Sequence, residues 1–306
     1  MQIFILHPGK AAYPEIAAYK DFFGDRTRVI DGTLVEYNSI SNKSDYLVWC
    51  IMGFYPKSIQ SRFLIHDYRS LSVGKFPKIK DAIKRISMQK PNLRIFQNEI
   101  IERVMNFKDD APSIYLPMGV PSWIYKISED ESLPKGTFCY IGEITKERGM
   151  DLVIDAFIKS RREDDTFVLV GNSEEEIYTK FKDSPGVKFT GKITQRQALA
   201  IVKNSDYTIC RIPKKYPYDH QMPTKFIEYA ALGKTIICND SPSNMMAINT
   251  LKYPALIADD AIFSKNLFSK LDSWKDQFSA FTGLDWQAVI EKSGINSYIA
   301  QELEEQ

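Results

Sequence analysis

Histidine is scarce in this chain: three in 306 residues, none in an H–x–x–H spacing. The four cysteines, Cys50, Cys139, Cys210 and Cys238, sit in strand-like apolar runs, and no C–x–x–C occurs. A structural or catalytic metal is therefore not expected, nor a disulfide framework; the pattern is that of reduced core cysteines in a cytosolic protein. No run of about 18 apolar residues is present, so no membrane span is expected. The start, MQIFILHPGK, lacks the basic flank and cleavage site of a signal peptide and reads as a first strand. Net charge is only +1. With no helix-turn-helix, RNP-type strand or zinc-finger spacing, nucleic acid is not an expected partner. Internal repeats and low-complexity segments are missing too. No Ser–His–Asp order or isolated acid pair suggests a covalent hydrolase.

What remains is an ordinary globular composition, 44% hydrophobic and 26% charged, long enough for two domains. In the first half, strands are expected at Ile3–Leu6, 28–30, 45–52 (DYLVWCIM), 62–66 (RFLIH), 94–96 and 113–116, with a helix over Pro14–Phe23. A polar stretch, KISEDESLPKG at 126–136, has Pro134 and Gly136 and no apolar periodicity, which marks a boundary. The second half repeats the alternation. Strands at Phe138–Ile141, 164–171, 187–190 and 205–211 each end at a loop residue or a charge and lead into a helical pattern. Such alternation describes parallel sheets wound with helices, an α/β fold of two doubly wound domains. The domains are read as 1–126 and 127–292, followed by a polar helix within 293–306. Ligands of such sheets bind beyond the carboxyl ends of the strands.

The segment Met222–Asp240, MPTKFIEYAALGKTIICND, is the most informative. Pro223 closes a loop, a helix starts near Thr224 and stops at Gly233, and the strand Thr235–Cys238 follows. A helix start with free N–H groups and the positive end of its dipole is a seat for an anion such as a diphosphate. Glu228 lies one turn further in, on the side of Thr224 and Lys225, where a carboxylate can accept hydrogen bonds from two vicinal hydroxyls. The alternative is an ordinary capped helix with Glu228 on its wet face.

In order, YIGEITKERGMDLVIDAF, FVLVGN, VKFTGKITQRQALAIVKNSDYTI and PTKFIEYAALGKTIICND resemble the donor-binding domain of retaining glycosyltransferases of the GT-B fold. The resemblance is closest to family 4, whose bacterial members build surface polysaccharides such as lipopolysaccharide or capsule. It runs through about residues 137–240. It implies two Rossmann-like domains facing across a cleft, the first binding the acceptor and the second a nucleotide-sugar, with the end of the chain returning to the first domain. It also implies that Glu228 holds the nucleotide ribose and that Arg148 grips the donor diphosphate. Pro223, Thr224 and Lys225 then make phosphate and sugar contacts, Gly142 opens the loop beside them, and Gly191, Lys192 and Ile193 form the base pocket. Two positions depart from the family pattern. Glu143 stands where an arginine is frequent, and His220, with Asp219 beside it, stands where a second acid usually touches the sugar.

The resemblance implies metal-independent hexosyl transfer with retention and no cofactor. The leaving diphosphate would take the acceptor's proton, and the protein would supply electrostatic stabilisation from Arg148, Lys225 and His66. His66, ending RFLIH, is expected at a strand's carboxyl end facing the cleft; the alternative is a strand-end histidine with a backbone partner. Asp67 and Arg69 are adjacent polar candidates, but alternation cannot turn all three the same way. The loop His7–Pro8–Gly9–Lys10 lies at the same edge, where Gly9 lets backbone approach a ligand. Competing functions are a GT-B nucleotide-sugar epimerase and a non-catalytic nucleotide-sugar-binding protein.

Charge is unevenly placed. Residues 1–125 hold 17 Lys and Arg against 12 Asp and Glu, much of the excess in Lys75–Lys90. There Phe76, Ile79, Ile83 and Ile86 recur at helical spacing among Lys78, Lys80, Lys84, Arg85 and Lys90. One reading is an amphipathic helix lying on an anionic membrane, a peripheral protein on the inner face of the cytoplasmic membrane with a saccharide or polyprenyl-diphosphate-linked acceptor. The other is a surface helix packing its isoleucines on the first domain's sheet, with its lysines outward.

Overall fold

The computed structural model describes residues 2–9, 13–55, 58–274 and 279–304, leaving aside the side chains of 301–304. Lys10, expected in the first loop, and residues 305–306, expected in the final helix, lie outside the described residues. The chain divides into two compact units, Met1–Pro121 with Asp285–Gln306, and Ser122–Leu284.

In the first unit β1 (Gln2–Leu6), α1 (Pro14–Phe23), β2 (Val29–Gly32), α2 (Leu34–Asn38), β3 (Tyr46–Ile51) and β4 (Phe63–Tyr68) follow in order. Then come α3 (Pro77–Ser87), β5 (Leu93–Phe96), α4 (Glu99–Met105) and β6 (Ser113–Tyr115). All pairings are parallel, in the order β2-β1-β3-β4-β5-β6. Every residue of β3, β4 and β5 is buried, as expected for strands of a parallel sheet covered on both faces. Pro14 opens α1 at its first turn, where the missing N–H costs nothing.

The second unit contains β7 (Phe138–Ile141), α5 (Met150–Ser160), β8 (Phe167–Val170), α6 (Glu175–Phe181), β9 (Val187–Gly191) and α7 (Gln195–Asn204). It continues with β10 (Tyr207–Cys210), α8 (Thr224–Ala231), β11 (Thr235–Asn239), α9 (Pro242–Leu251), β12 (Leu256–Ala258) and α10 (Lys265–Ser273). This sheet too is parallel, in the order β12-β11-β10-β7-β8-β9. Five phenylalanines, Phe138, Phe157, Phe167, Phe263 and Phe268, fill one side of it, with Phe263 4.9 Å from Phe138 and 5.1 Å from Phe157 between ring centroids.

After the second unit the chain rejoins the first through α11 (Trp286–Lys292) and α12 (Ile295–Glu304). Trp286 sits 6.2 Å from the Tyr19 ring of α1, and a Cβ at Gly119 would come within 2.8 Å of it. The polar stretch 126–136 lies inside the second unit. The Asn204 side chain holds it, accepting from the Asp130 N–H at 2.9 Å and donating to the Asp130 carbonyl at 2.7 Å.

Candidate functional site

Strand order reverses in the second sheet between β7 and β10, and ligands of such sheets bind beyond the carboxyl ends at that point. Gly142, at φ +135° just after β7, occupies a backbone conformation that side chains rarely adopt. A Cβ at Gly171, after β8, would lie 2.2 Å from the Gly142 carbonyl oxygen, so the two loops approach backbone to backbone. Gly142, exposed, and Gly171, half-buried, thus put bare main chain at this edge.

α8 begins at Thr224 beside this loop, and Pro223 before it makes no side-chain cap. The first N–H groups of a helix have no intrahelical acceptor, so this end offers donors and a partial positive charge. Lys225 adds a full charge. Its Nζ is shielded from solvent, has no hydrogen-bond partner among the described residues, and lies 3.9 Å from the centroid of the Tyr140 ring. A Cβ on Gly142 would come within 3.3 Å of the same nitrogen. An ammonium held only by a π face is under-satisfied, and an arriving anion would give it the missing partner.

Glu228 is buried, 7% exposed, which corrects the wet-face alternative. Gln195 Nε2, at the first position of α7, donates to its Oε1 at 2.9 Å. Burial raises the Glu228 carboxyl to about 7, against the opposing pull of the Gln195 bond and of the nearby Lys225 charge. Gln195 was not among the expected residues, although it follows directly on the Gly191–Ile193 loop. Gly191 closes β9 at φ +70° in open space, Lys192 is exposed, and Ile193 is half-buried. The helix that follows the expected base-pocket loop is thus tied to the expected ribose acid by one hydrogen bond.

Arg148 lies in the loop before α5, its guanidinium 5.2 Å from the Tyr218 ring centroid. Its carbonyl oxygen accepts from the guanidinium of Arg211, the residue after β10. The same guanidinium lies where a Cβ on Gly149 would meet it at 2.7 Å, so Arg211 supports the loop that carries Arg148. A charged residue ending the run SDYTICR was the only hint of it in the sequence. His220 is half-buried and pairs through Nδ1 with Asp219 at 2.5 Å, its ring 5.1 Å from Tyr216. Glu143 is exposed, and its carbonyl accepts from the Tyr140 hydroxyl at 3.1 Å.

In the first unit the expectation for His66 is corrected. β4 continues two residues past it, and His66 is 0% exposed with no hydrogen-bond partner among the described residues on either ring nitrogen. Burial, aided by the Arg94 charge, drops its pKa to about 3, so it is a neutral core residue. The strand continues because Asp67 Oδ2 is held inside it, accepting from the Tyr19 hydroxyl at 2.9 Å and the Trp49 Nε1–H at 3.0 Å. Arg69 donates to the Leu116 and Pro117 carbonyls at 2.6 and 3.0 Å and so anchors the chain after β6. Gly9, at φ +70°, donates its N–H to His7 Nδ1 at 3.1 Å.

With this geometry in place, similarity to known proteins can be weighed. Residues 135–267 match the family of group 1 glycosyl transferases. The group 1 match spans β7 to α10 and so contains the whole arrangement around Lys225 and Glu228. Over 206 residues, 62% of this chain, the sequence is 32% identical to the uncharacterized glycosyltransferase MJ1069 of Methanocaldococcus jannaschii. The aligned stretch spans half the length of that relative. Among solved structures, sucrose-phosphate synthase from Thermosynechococcus elongatus aligns with a TM-score of 0.70 at 12% identity. Anabaena HepE in complex with UDP aligns with a TM-score of 0.65 at 11% identity. Both alignments cover all of each chain. At such identities the likeness concerns the fold, which is GT-B.

Proposed function

We propose that this protein is a glycosyltransferase that moves a hexosyl group from a nucleoside-diphosphate donor to a saccharide or polyprenyl-diphosphate-linked saccharide. The observation that carries the reading is Lys225 Nζ, a shielded cation without a hydrogen-bond partner among the described residues, beside the bare Gly142 loop and the open start of α8. The donor diphosphate would take the first N–H groups of α8, the Lys225 ammonium after a change of rotamer, and the Arg148 guanidinium. The Glu228 carboxylate would accept from the two ribose hydroxyls, in the position the Gln195 amide now partly fills. The match to group 1 glycosyl transferases over residues 135–267 supports this assignment.

The chemistry follows from where charge develops. As the bond from the anomeric carbon to the diphosphate oxygen breaks, negative charge grows on the diphosphate, and preorganised cations and N–H dipoles stabilise it without reorganising. The acceptor oxygen bonds to the anomeric carbon on the same face, and its proton passes to a non-bridging diphosphate oxygen. The configuration is retained, and Lys225 and Arg148 supply the counter-charge that a metal ion would otherwise provide. The first unit would receive the acceptor. The solved neighbour carrying UDP-glucose makes uridine donors the first to test. Cytoplasmic placement is part of the proposal, supported by four buried free cysteines. Among the described residues no helix is long and apolar enough to cross a membrane.

Release of nucleoside diphosphate from a panel of nucleotide-sugars, with chromatography of the sugar product, tests the proposal. Diphosphate release with sugar passed to an acceptor or to water supports it. Binding without turnover would leave a nucleotide-sugar-binding protein, and a changed sugar still attached to its nucleotide would make the protein an epimerase.

A further inference from the structure

α3 is mounted with its apolar side outward. Phe76, Ile79, Ile83 and Ile86 are 71%, 57%, 46% and 82% exposed, and Val73 extends the row at 54%. Residues at these spacings form one stripe along a helix. The inward side is polar instead. Asp81, buried, accepts the Ser72 N–H with both oxygens at 3.1 Å, and Lys84, 11% exposed in its side chain, lies 3.8 Å from Asp81. One of the two readings packed the isoleucines of this helix on the first domain's sheet, and the structure corrects that. Phe76 is also held at φ +54°, a left-handed conformation uncommon for a bulky residue, with its side chain in solvent.

We propose that this face of α3 seats on the surface of an anionic lipid bilayer. The charge around the stripe decides the occupant. Lys75, Lys78, Lys80, Arg85 and Lys90 are exposed, and the single acid between Lys75 and Lys90, Asp81, is turned inward. A narrow aliphatic and aromatic row rimmed by cations complements acyl chains beneath anionic headgroups. The inference needs nothing of the donor site, and its test is read without a nucleotide, so its failure leaves the transferase reading standing.

Sedimentation with vesicles of phosphatidylcholine alone, or mixed with phosphatidylglycerol, tests it. The wild-type protein should pellet with the mixed vesicles and be released as salt rises, because screening shortens the attraction to roughly 8 Å at physiological ionic strength. A K75Q/K78Q/R85Q variant should lose about fivefold in partitioning per cation, roughly a hundredfold in all. An I79S/I83S/I86S variant should not pellet with either vesicle. The single change I86S, at the most exposed position, should weaken binding with the thermal midpoint unchanged, which separates lost docking from lost folding. Equal pelleting on both vesicles, or none by the wild type, overturns the proposal. So does a wild-type dimer that becomes a monomer in the serine variant, since the stripe would then join two copies of this chain.

Discussion

Gln195 Nε2 donates to Glu228 Oε1 at 2.9 Å, linking the first residue of α7 to the middle of α8 across 33 positions of sequence. Two helices that begin at the carboxyl edge of one sheet are thereby joined through the group proposed to hold a ribose. The bond stabilises the ionised carboxyl while burial opposes it, and burial prevails.

That balance predicts a pH signature. With its pKa raised from 4.5 to about 7, Glu228 binds a proton in the folded state that the unfolded state has lost between those values. Its contribution therefore falls as pH rises through that window, a cost of about 3 kcal/mol above pH 7. Glu228→Gln should raise the thermal midpoint at pH 8 and leave it nearly unchanged at pH 4.5. Nucleotide binding by the wild type near pH 6 should release up to one proton, measurable in buffers of different ionisation enthalpy, and none in the variant.

Lys225 and Arg148 should read the diphosphate rather than the nucleoside. Lys225→Met is expected to lower nucleoside-diphosphate affinity by about tenfold or more, the scale of one charge-assisted hydrogen bond, with a smaller loss for the monophosphate. Apo stability should hold or rise, because the variant removes an ammonium without a hydrogen-bond partner among the described residues. Arg148→Met should show the same preference, and calorimetric titration of both nucleotides measures it. Equal losses for the two nucleotides would place these side chains on the nucleoside.

His66 should matter for acid stability and not for transfer. Its pKa of about 3, against the ordinary 6.5, means that the unfolded state takes up a proton the folded state refuses. Stability is therefore full above pH 6.5 and falls as pH drops toward 3, by up to about 5 kcal/mol. Urea midpoints of wild type and His66→Leu should converge with pH and separate in acid, while nucleotide-sugar turnover at neutral pH is unchanged.

Arg211 is expected to act through the loop it supports. Arg211→Met strands the Arg148 carbonyl and should cost about 1–3 kcal/mol of stability. Diphosphate affinity should fall with it, although Arg211 is not proposed to touch the ligand. Loop protection in hydrogen exchange over 142–149 is the readout, and it should drop in the variant.

Local pattern made much of this visible. Pro14–Phe23 is a helix and Phe138–Ile141 a strand at the expected bounds, because proline placement and an apolar run closed by glycine are signals carried within a few residues. β4 was read too short because Asp67 looks like a strand terminator until Tyr19 and Trp49 donate to its Oδ2 from 48 and 18 positions away. Periodicity revealed the stripe on α3 but not its direction, which the Asp81 bond to the Ser72 N–H decides. The burial of Glu228 was hidden for the same reason: Gln195 reaches it only in the folded chain. Nothing in the pattern around residues 256–292 was read as β12, α10 or α11.

The most direct measurement is thermal unfolding in the presence of each common nucleoside diphosphate, with wild type and Lys225→Met side by side. A ligand at 100 times its dissociation constant adds about 2.7 kcal/mol to the stability of the state that binds it. At least one diphosphate should raise the wild-type midpoint clearly, its monophosphate should raise it less, and Lys225→Met should lose most of the diphosphate gain. A wild-type midpoint that no nucleoside diphosphate moves would contradict the donor site at the carboxyl edge of the second sheet.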